Sequence, residues 1–407
     1  MKFLLAAILS LQAGAALADD VIWRTQWRPE NPGGGAKGVC DIAPAIDGGA
    51  FVAFYYQQPG KGGGDVGSIA KFSSSGELQW HRSGIAGAGM LLEPDSVGNL
   101  YVSARGGPGF TAKYSAGGTL QWSLHFQSNS TVMDMALDAD GNCYILRSNY
   151  TLQGFYSDMI KVNPDGGAVW TRSIAAEQVF GYLEWDSEGN LACFINFRDG
   201  SPSQMIVYDV MGNVVRSFVL MTEYVDSDAS VAFGPENELY YAYPLRRLNE
   251  DGTAGWVRVL NGAEVECDAN RVYTTDGSTA YFLDRTNGFT LWSEAIPENR
   301  YPNFRHPEPS LDGLGNYWLV RGEENSDNAV PVRLKTSGLL SVVYPISGDA
   351  RLAVGDASDM YFLAKPGNFG QVNSLVISKL RNGIDHDSAQ LVRGRTTENS
   401  HYAIMHS

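Results

Sequence analysis

Positive charge is scarce in this chain. Its 407 residues hold 30 Lys and Arg against 45 Asp and Glu, a formal net charge of −15. That balance argues against anionic lipid surfaces as a main partner, and no nucleic acid partner is expected. Past the N-terminus no apolar run approaches the length of a membrane span, so no membrane insertion is expected either. Cysteine is nearly absent: Cys40, Cys143, Cys193 and Cys267 allow three full pairings that spacing cannot rank. A chain this long does not need disulfides for stability, and buried free thiols are the preferred reading.

The usual signatures of chemistry are missing as well. There is no HExxH, GxSxG or Walker A sequence. Two formal GxGxxG matches, Gly33 to Gly38 and Gly62 to Gly67, do not open a helix after a strand and read as glycine-rich loops. The histidines are scattered, and Asp385-His386-Asp387 reads as a surface turn rather than a metal site. Asp138-Ala139-Asp140-Gly141-Asn142 resembles the start of a calcium loop but lacks the glutamate at the twelfth position. No metal, no cofactor and no catalytic residue are therefore assigned.

Hydrophobic residues make up 44% of the chain, enough to build a large core. At the N-terminus, Lys2, the apolar run Phe3 to Leu11 and Ala16-Leu17-Ala18 before Asp19-Asp20 form the pattern of a secretory signal. Residues 1–18 are expected to be removed, leaving a periplasmic or secreted protein. The sequons at Asn129 and Asn149 matter only if the source glycosylates such sites.

Glycine is abundant, at 46 residues, and a repeat explains much of it. A strand, a glycine turn and a Trp four residues after the glycine recur at 71–80 (KFSSSGELQW), 113–122 (KYSAGGTLQW), 161–170 (KVNPDGGAVW), 247–256 (RLNEDGTAGW) and 283–292 (LDRTNGFTLW). Degenerate copies lie at 207–216 and 333–342, and an eighth turn falls at Gly383. The turn glycines Gly76, Gly118, Gly166, Gly212, Gly252, Gly288, Gly338 and Gly383 are spaced as propeller blades are. A second hairpin precedes each anchor, as in 95–102 (DSVGNLYV) and 138–145 (DADGNCYI). Asp, Gly and Asn favour the turn, and the alternating apolar residues after it form a strand.

Each unit then holds four strands that cannot cover their own faces, and radial stacking buries them. The expected fold is all-β: a single eight-bladed β-propeller with four-stranded antiparallel blades, with seven blades as the fallback. It should span residues 19–393, followed by a C-terminal surface tail at 394–407. The recurring Trp side chains are read as packing between blades. The last unit lacks a good Trp strand, so residues 21–27 (VIWRTQW) are expected to complete it; Ala389 to Val392 is the alternative closing strand.

The Thr/Ser-x-Gly-x-x-x-Trp anchor resembles the tryptophan-docking repeat of PQQ-type bacterial propellers, most nearly at 283–292. The resemblance covers most of residues 21–393. Catalytic members of that family are known for an adjacent cysteine pair and a calcium-binding carboxylate set. This chain has no Cys-Cys, and the carboxylate set finds no matching positions, so the resemblance implies the non-catalytic branch. That branch includes the outer-membrane assembly propeller, a lipoprotein, whereas this chain has no lipid-anchor cysteine.

In such a fold the loops after the second and fourth strands share one face, and that loop face is the richer one here. Several second strands end in a cation: Arg105, Arg147, Arg198, Arg321 and Lys365. The long loop 296–309 adds Arg300, Tyr301, Arg305 and His306. Guanidinium groups gathered at one mouth would suit an anionic ligand. Their offsets from the preceding turn vary, however, and solvent-exposed strand ends tolerate charge. The preferred function is a non-enzymatic exported scaffold, monomeric, that binds a protein, peptide or glycan ligand through its loop face. The alternative is an extracytoplasmic propeller enzyme, a quinoprotein-like oxidoreductase or a hydrolase or lyase, with its site at the channel mouth.

Overall fold

The structure, a computed structural model, describes residues 21–29, 36–57, 64–87, 89–104, 109–127, 129–151, 154–175, 179–197, 201–220, 231–241, 244–260, 264–276, 278–295, 310–311, 316–322, 328–334, 340–342, 346–347, 349–355, 359–365, 375–380, 389–396 and 399–406. Every regular element among them is a strand. After β1 (Val21–Trp27) the chain forms antiparallel sheets in succession. The first contains β2 (Gly38–Pro44), β3 (Ala50–Gln57), β4 (Asp65–Phe72) and β5 (Leu78–Ala86). The second contains β6 (Met90–Pro94), β7 (Leu100–Ala104), β8 (Phe110–Tyr114) and β9 (Leu120–His125). The third contains β10 (Ser130–Leu137), β11 (Cys143–Thr151), β12 (Gly154–Val162) and β13 (Ala168–Ala175).

The fourth holds β14 (Val179–Trp185), β15 (Leu191–Phe197), β16 (Gln204–Tyr208) and β17 (Val214–Val219). The fifth holds β18 (Val231–Phe233), β19 (Leu239–Tyr241), β20 (Leu245–Leu248) and β21 (Ala254–Arg258). The sixth holds β22 (Glu264–Cys267), β23 (Arg271–Thr275), β24 (Thr279–Asp284) and β25 (Thr290–Ala295). A five-stranded sheet follows, made of β26 (Ser310–Leu311), β27 (Tyr317–Gly322), β28 (Asn328–Leu334), β29 (Leu340–Val342) and β30 (Ile346–Ser347). The last sheet consists of β31 (Asp349–Val354), β32 (Met360–Lys365), β33 (Leu375–Leu380) and, returning from the N-terminus, β1. Seven of these sheets are four-stranded. This is a β-propeller, and its sheets are called blades 1 to 6, the five-stranded sheet, and the closing blade.

Innermost strands neighbour one another around the ring. β2 lies against β6 on one side and β31 on the other, and β26 touches both β22 and β31. The cores are slabs between blades rather than one central core. Ala43, Phe51 and Ala53 of blade 1 meet Leu92, Leu100 and Val102 of blade 2, while Ile42, Val52 and Phe54 on the opposite face meet Tyr361, Leu363 and Ile377 of the closing blade. Period-two alternation along each strand sends successive side chains into the two neighbouring slabs.

β1 closes the ring as the outer strand of the last sheet, running antiparallel to β33 from Val21↔Leu380 to Trp27↔Leu375. The C-terminal residues 389–396 and 399–406 form a separate hairpin, β34 (Ala389–Thr396) and β35 (Asn399–His406). It covers most of the stretch expected as a tail and lies beside β29.

The anchor Trp side chains dock onto the turn glycine of the next blade. A Cβ placed on Gly118 would lie 2.6 Å from Trp80, one on Gly166 2.7 Å from Trp122, and one on Gly288 2.7 Å from Trp256. These glycines also hold φ of +78°, +89° and +71°, a region open to glycine at little cost. Each indole N–H donates to a carbonyl in the same turn: Trp80 to Ala116 at 2.9 Å, Trp122 to Pro164 at 2.9 Å and Trp256 to Arg285 at 3.0 Å. At the closure Trp23 of β1 docks on Gly76 in the same way, though its indole N–H finds no acceptor. The spare N-terminal strand thus restores both the missing strand and the missing indole.

Candidate functional site

The hairpin face is a set of internal locks. Asp138 opens the first turn of blade 3 and accepts hydrogen bonds from the Asn142 side chain, the Asn142 N–H and the Tyr144 hydroxyl. Lys161 lies 3.3 Å from the same carboxylate and 4.8 Å above the Tyr144 ring, and donates to Val210 O of blade 4 at 3.0 Å. Burial pushes the Asp138 pKa up, but the two Asn142 bonds, Tyr144 and Lys161 outweigh it and hold the carboxyl below its ordinary value. The ion pairs Lys71–Asp47 at 2.7 Å, Lys113–Asp95 at 3.7 Å and Lys379–Asp359 at 2.8 Å repeat this arrangement. Among the described residues of this face, Lys71, Lys113, Lys161 and Lys379 are therefore spent on the fold.

The opposite, loop face is stepped. In blade 2 the second and third strands are five residues each, pairing from Leu100↔Tyr114 to Ala104↔Phe110. In blade 3 they are nine residues each and continue to Thr151↔Gly154. Blade 1 is also tall, with eight-residue strands paired to Gln57↔Asp65. The blade 3 hairpin rises four pairs above that of blade 2, roughly 13 Å at ~3.3 Å per residue. Among the described residues the blade 2 sheet is a low step, walled on either side by taller ones.

The walls are built from named residues. Parity along β3 puts Tyr55 and Gln57 on the same face as Phe51 and Ala53, which pack on blade 2. The Tyr55 ring rests against Gly38, where an added Cβ would lie 2.5 Å from Cε1. Lys37 pairs with Asp65 at 2.9 Å beside that ring. On the opposite wall Ile160 and Val162 of β12 pack on blade 2, which sends Tyr156 and Asp158 to the same side. Tyr156 is 36% exposed. Tyr150 and Phe155, paired across the strands with ring centroids 4.7 Å apart, stand on the other face of the hairpin, toward blade 4.

Of the cations singled out in the sequence, Arg147 is the one whose side chain is described. Its Nε and Nη2 donate to the two carboxylate oxygens of Asp158 at 2.9 and 2.6 Å, and the guanidinium lies 4.4 Å above the Phe126 ring of blade 2. The pair is nearly buried and sits on the rung where the blade 2 hairpin ends, so it braces the base of the tall one. Arg321 lies opposite Val330 on β27, and Lys365 opposite Asp349 on β32. Arg105, Arg198, Arg300, Tyr301, Arg305 and His306 lie outside the described residues. Sequence reasoning missed Asp158, Phe126 and Tyr156. An Arg on the second strand followed by an Asp eleven residues on was the available signal.

All four cysteines are free thiols. Burial holds the Cys40 thiol up at about 11 and raises Cys143, Cys193 and Cys267 further, so none is a thiolate nucleophile at neutral pH. Among the described residues no group of three or more His, Cys, Asp or Glu is placed to hold a metal ion, and no helix is long and apolar enough to cross a membrane. Asn129 is exposed whereas Asn149 is buried.

No family model and no curated protein matches the chain. Among solved structures it is similar to the Dos1 propeller, with a TM-score of 0.56 and 8% identity over 89% of this chain and 95% of that one. It is also similar to the polysaccharide lyase Uly1, with a TM-score of 0.50 and 9% identity over 85% and 90% of the two chains. At such identities the likeness establishes the propeller fold alone.

Proposed function

We propose that the protein is an exported, non-enzymatic binding scaffold whose ligand seats on the loop face, in the trough over blade 2 between the tall hairpins of blades 1 and 3. The observation that carries this reading is the step itself. The hairpins of blades 1 and 3 run three and four pairs beyond that of blade 2, and binding sites favour recesses held by a rigid frame. The buried Arg147–Asp158 pair supplies that rigidity at the foot of one wall.

The same proposal includes the architecture in full. The five-stranded sheet is the eighth blade of the ring, because β26 lies between β22 and β31 as the other inner strands lie between theirs. The docking of Trp80, Trp122 and Trp256 on turn glycines supports a place in the tryptophan-docking, PQQ-like group, on its non-catalytic branch. Export follows from residues 1–18, which lie outside the described residues.

Cutting the blade 3 hairpin back, by replacing residues 148–157 with Asn-Gly, tests the binding reading. The truncated protein should keep its melting temperature within a few degrees and lose the ligand that the full chain binds in a panel of oligosaccharides and peptides. Undiminished binding, or turnover of the bound ligand by the full chain, contradicts it. N-terminal sequencing of protein recovered outside the cytoplasm should begin at Asp19. A chain retained in the cytoplasm with Met1 intact removes the export part.

A further inference from the structure

We infer that the outer edge of blade 4 takes an extended segment of a partner protein that carries lysine or arginine, which adds to the sheet as a further strand. This edge lies on the outer rim, apart from the loop-face trough. The first observation is where the outer strands expose apolar side chains. Among the described residues β5, β9, β13, β21 and β25 each expose one large apolar side chain: Leu78, Leu120, Val169, Val257 and Leu291. β17 exposes Val214, Val215 and Val219, at 57%, 52% and 61%. Val210 and Met211, in the turn before it, extend the apolar surface. The one charged residue of the strand, Arg216, does not guard the edge. Its guanidinium is nearly buried, 2.8 Å from Asp186 and 3.3 Å from Glu250.

The second observation is the backbone. β17 pairs with β16 from Tyr208↔Val214 to Gln204↔Val219, and among the described residues no strand pairs with its other side. Alternate residues of such an edge turn their N–H and C=O groups outward. β-Branched side chains favour the extended conformation, and an apolar edge with no lysine or proline is a template for another strand. Charge selects the occupant. Asp209 opens the turn before β17, and Glu250 and Asp251 stand exposed in the next blade's turn, beside Arg216. The cations at this end are Lys161, paired with Asp138, Arg216, paired with Asp186, and Arg172, which donates to the Gly212 and Met211 carbonyls. The carboxylates are in excess, so a cationic segment is favoured. A second copy would bring the same acidic end and a further net charge of −15.

Two displayed libraries of short peptides test this on the full chain, both with central positions drawn from Val, Ile, Thr and Tyr, one flanked by Lys pairs and the other by Glu pairs. The Lys-flanked library should yield peptides that bind saturably and lose at least threefold in affinity between 50 and 500 mM NaCl, and the Glu-flanked library should yield none. Val215→Asn combined with Val219→Asn, which removes the apolar edge without changing charge, should weaken that binding at least tenfold. Val215→Thr, which keeps the β-branch, should weaken it no more than about threefold, and Val257→Asn, on the outer strand of blade 5, not at all. Melting temperatures within a few degrees of the parent show that the variants are folded. Edge-dependent binding confined to the Glu-flanked library, or self-association in sedimentation that the double variant abolishes, gives the edge another occupant and overturns the proposal. A failure of both libraries to yield a peptide that depends on Val215 and Val219 overturns it as well, and leaves the loop-face reading untouched.

Discussion

Blades 3 and 5 solve one problem with different residues. In blade 3 the carboxylate is Asp138, at the start of the first hairpin, and the cation is Lys161 of the same blade, which then reaches out to Val210 O of blade 4. In blade 5 the starting position is Gly234, and the carboxylate comes from Glu238 at the end of the turn. A Cβ on Gly234 would fall 2.2 Å from the Glu238 Cδ, so the longer side chain folds back into the space the aspartate would have used. Tyr240 donates to Glu238 at 2.9 Å, as Tyr144 does to Asp138. The cation is now Arg285, delivered from the turn of blade 6; it pairs with Glu238 and, at 3.2 Å, with Glu236. The direction of the lock is reversed, outward from blade 3 and inward to blade 5. Blade 4 is a third variant. Arg216 occupies the Trp position and reaches Asp186 at 2.8 Å, while docking on Gly252 passes to Phe218, two residues later. What recurs is a buried carboxylate, a ring and a cation at fixed places in space, and several sequence positions can supply each.

The reversal has a consequence for stability. Glu238 is 1% exposed, and its cation belongs to the next blade. Arg285→Ala should therefore strip a buried carboxylate of its partner and loosen the blade 5–6 junction, at a cost of about 3–5 kcal/mol. Lys161→Ala should cost less, about 1–2 kcal/mol, because the Asp138 carboxylate is less deeply buried than that of Glu238 and its lysine lies farther off, at 3.3 Å. Denaturant melts of the two variants measure the difference, and equal losses would mean that the direction of the lock is immaterial. Next in size is the docking glycine. Gly288→Val combines positive φ with a collision against Trp256 and should cost about 3 kcal/mol. Gly84→Val, at φ +82° with nothing within 4 Å of its Cβ, should show the backbone part alone, about 1–2 kcal/mol.

The turn glycines and Trp residues made the ring legible because both are tied to fixed spacings: a positive-φ position, and an indole four residues later that covers the next one. β1 was legible for the same reason, since VIWRTQW carries an indole that the last unit lacks. The locks were harder to see. Their cations come from the third strand (Lys113, Lys161), the fourth (Arg216) or the next blade (Arg285), so no single spacing marks them. The candidate site was the least legible. Arg147 was picked out as a cation at a strand end, but its bidentate partner Asp158 is fixed by strand pairing, which a one-residue shift would undo. The step between blades 2 and 3 is a matter of where pairing stops, and Ser, Asn, Tyr and Thr continue a strand as readily as they end one.

Acid separates the two locks by the smallest margin. In Glu238, as in Asp138, burial raises the pKa, but the donors outweigh it: for Glu238 its own N–H, the Tyr240 hydroxyl, Arg285 and the Glu236 N–H. Both carboxyls are held below their ordinary values, so each contributes stability that is fully present above the unfolded-state pKa, near 4. That contribution is lost as pH falls through the depressed folded-state value. Stability should accordingly be flat from pH 7 to about 5 and decline below about 4. Glu238→Gln keeps the shape but removes the charge facing Arg285, so that variant should begin less stable and show a shallower decline than the parent. Asp138→Asn should flatten the acid limb in the same sense, with Lys161 left facing a neutral amide. Melting curves between pH 3 and 7 read both slopes. A parent-like slope in Glu238→Gln would show that Arg285 holds the junction through its packing rather than its charge.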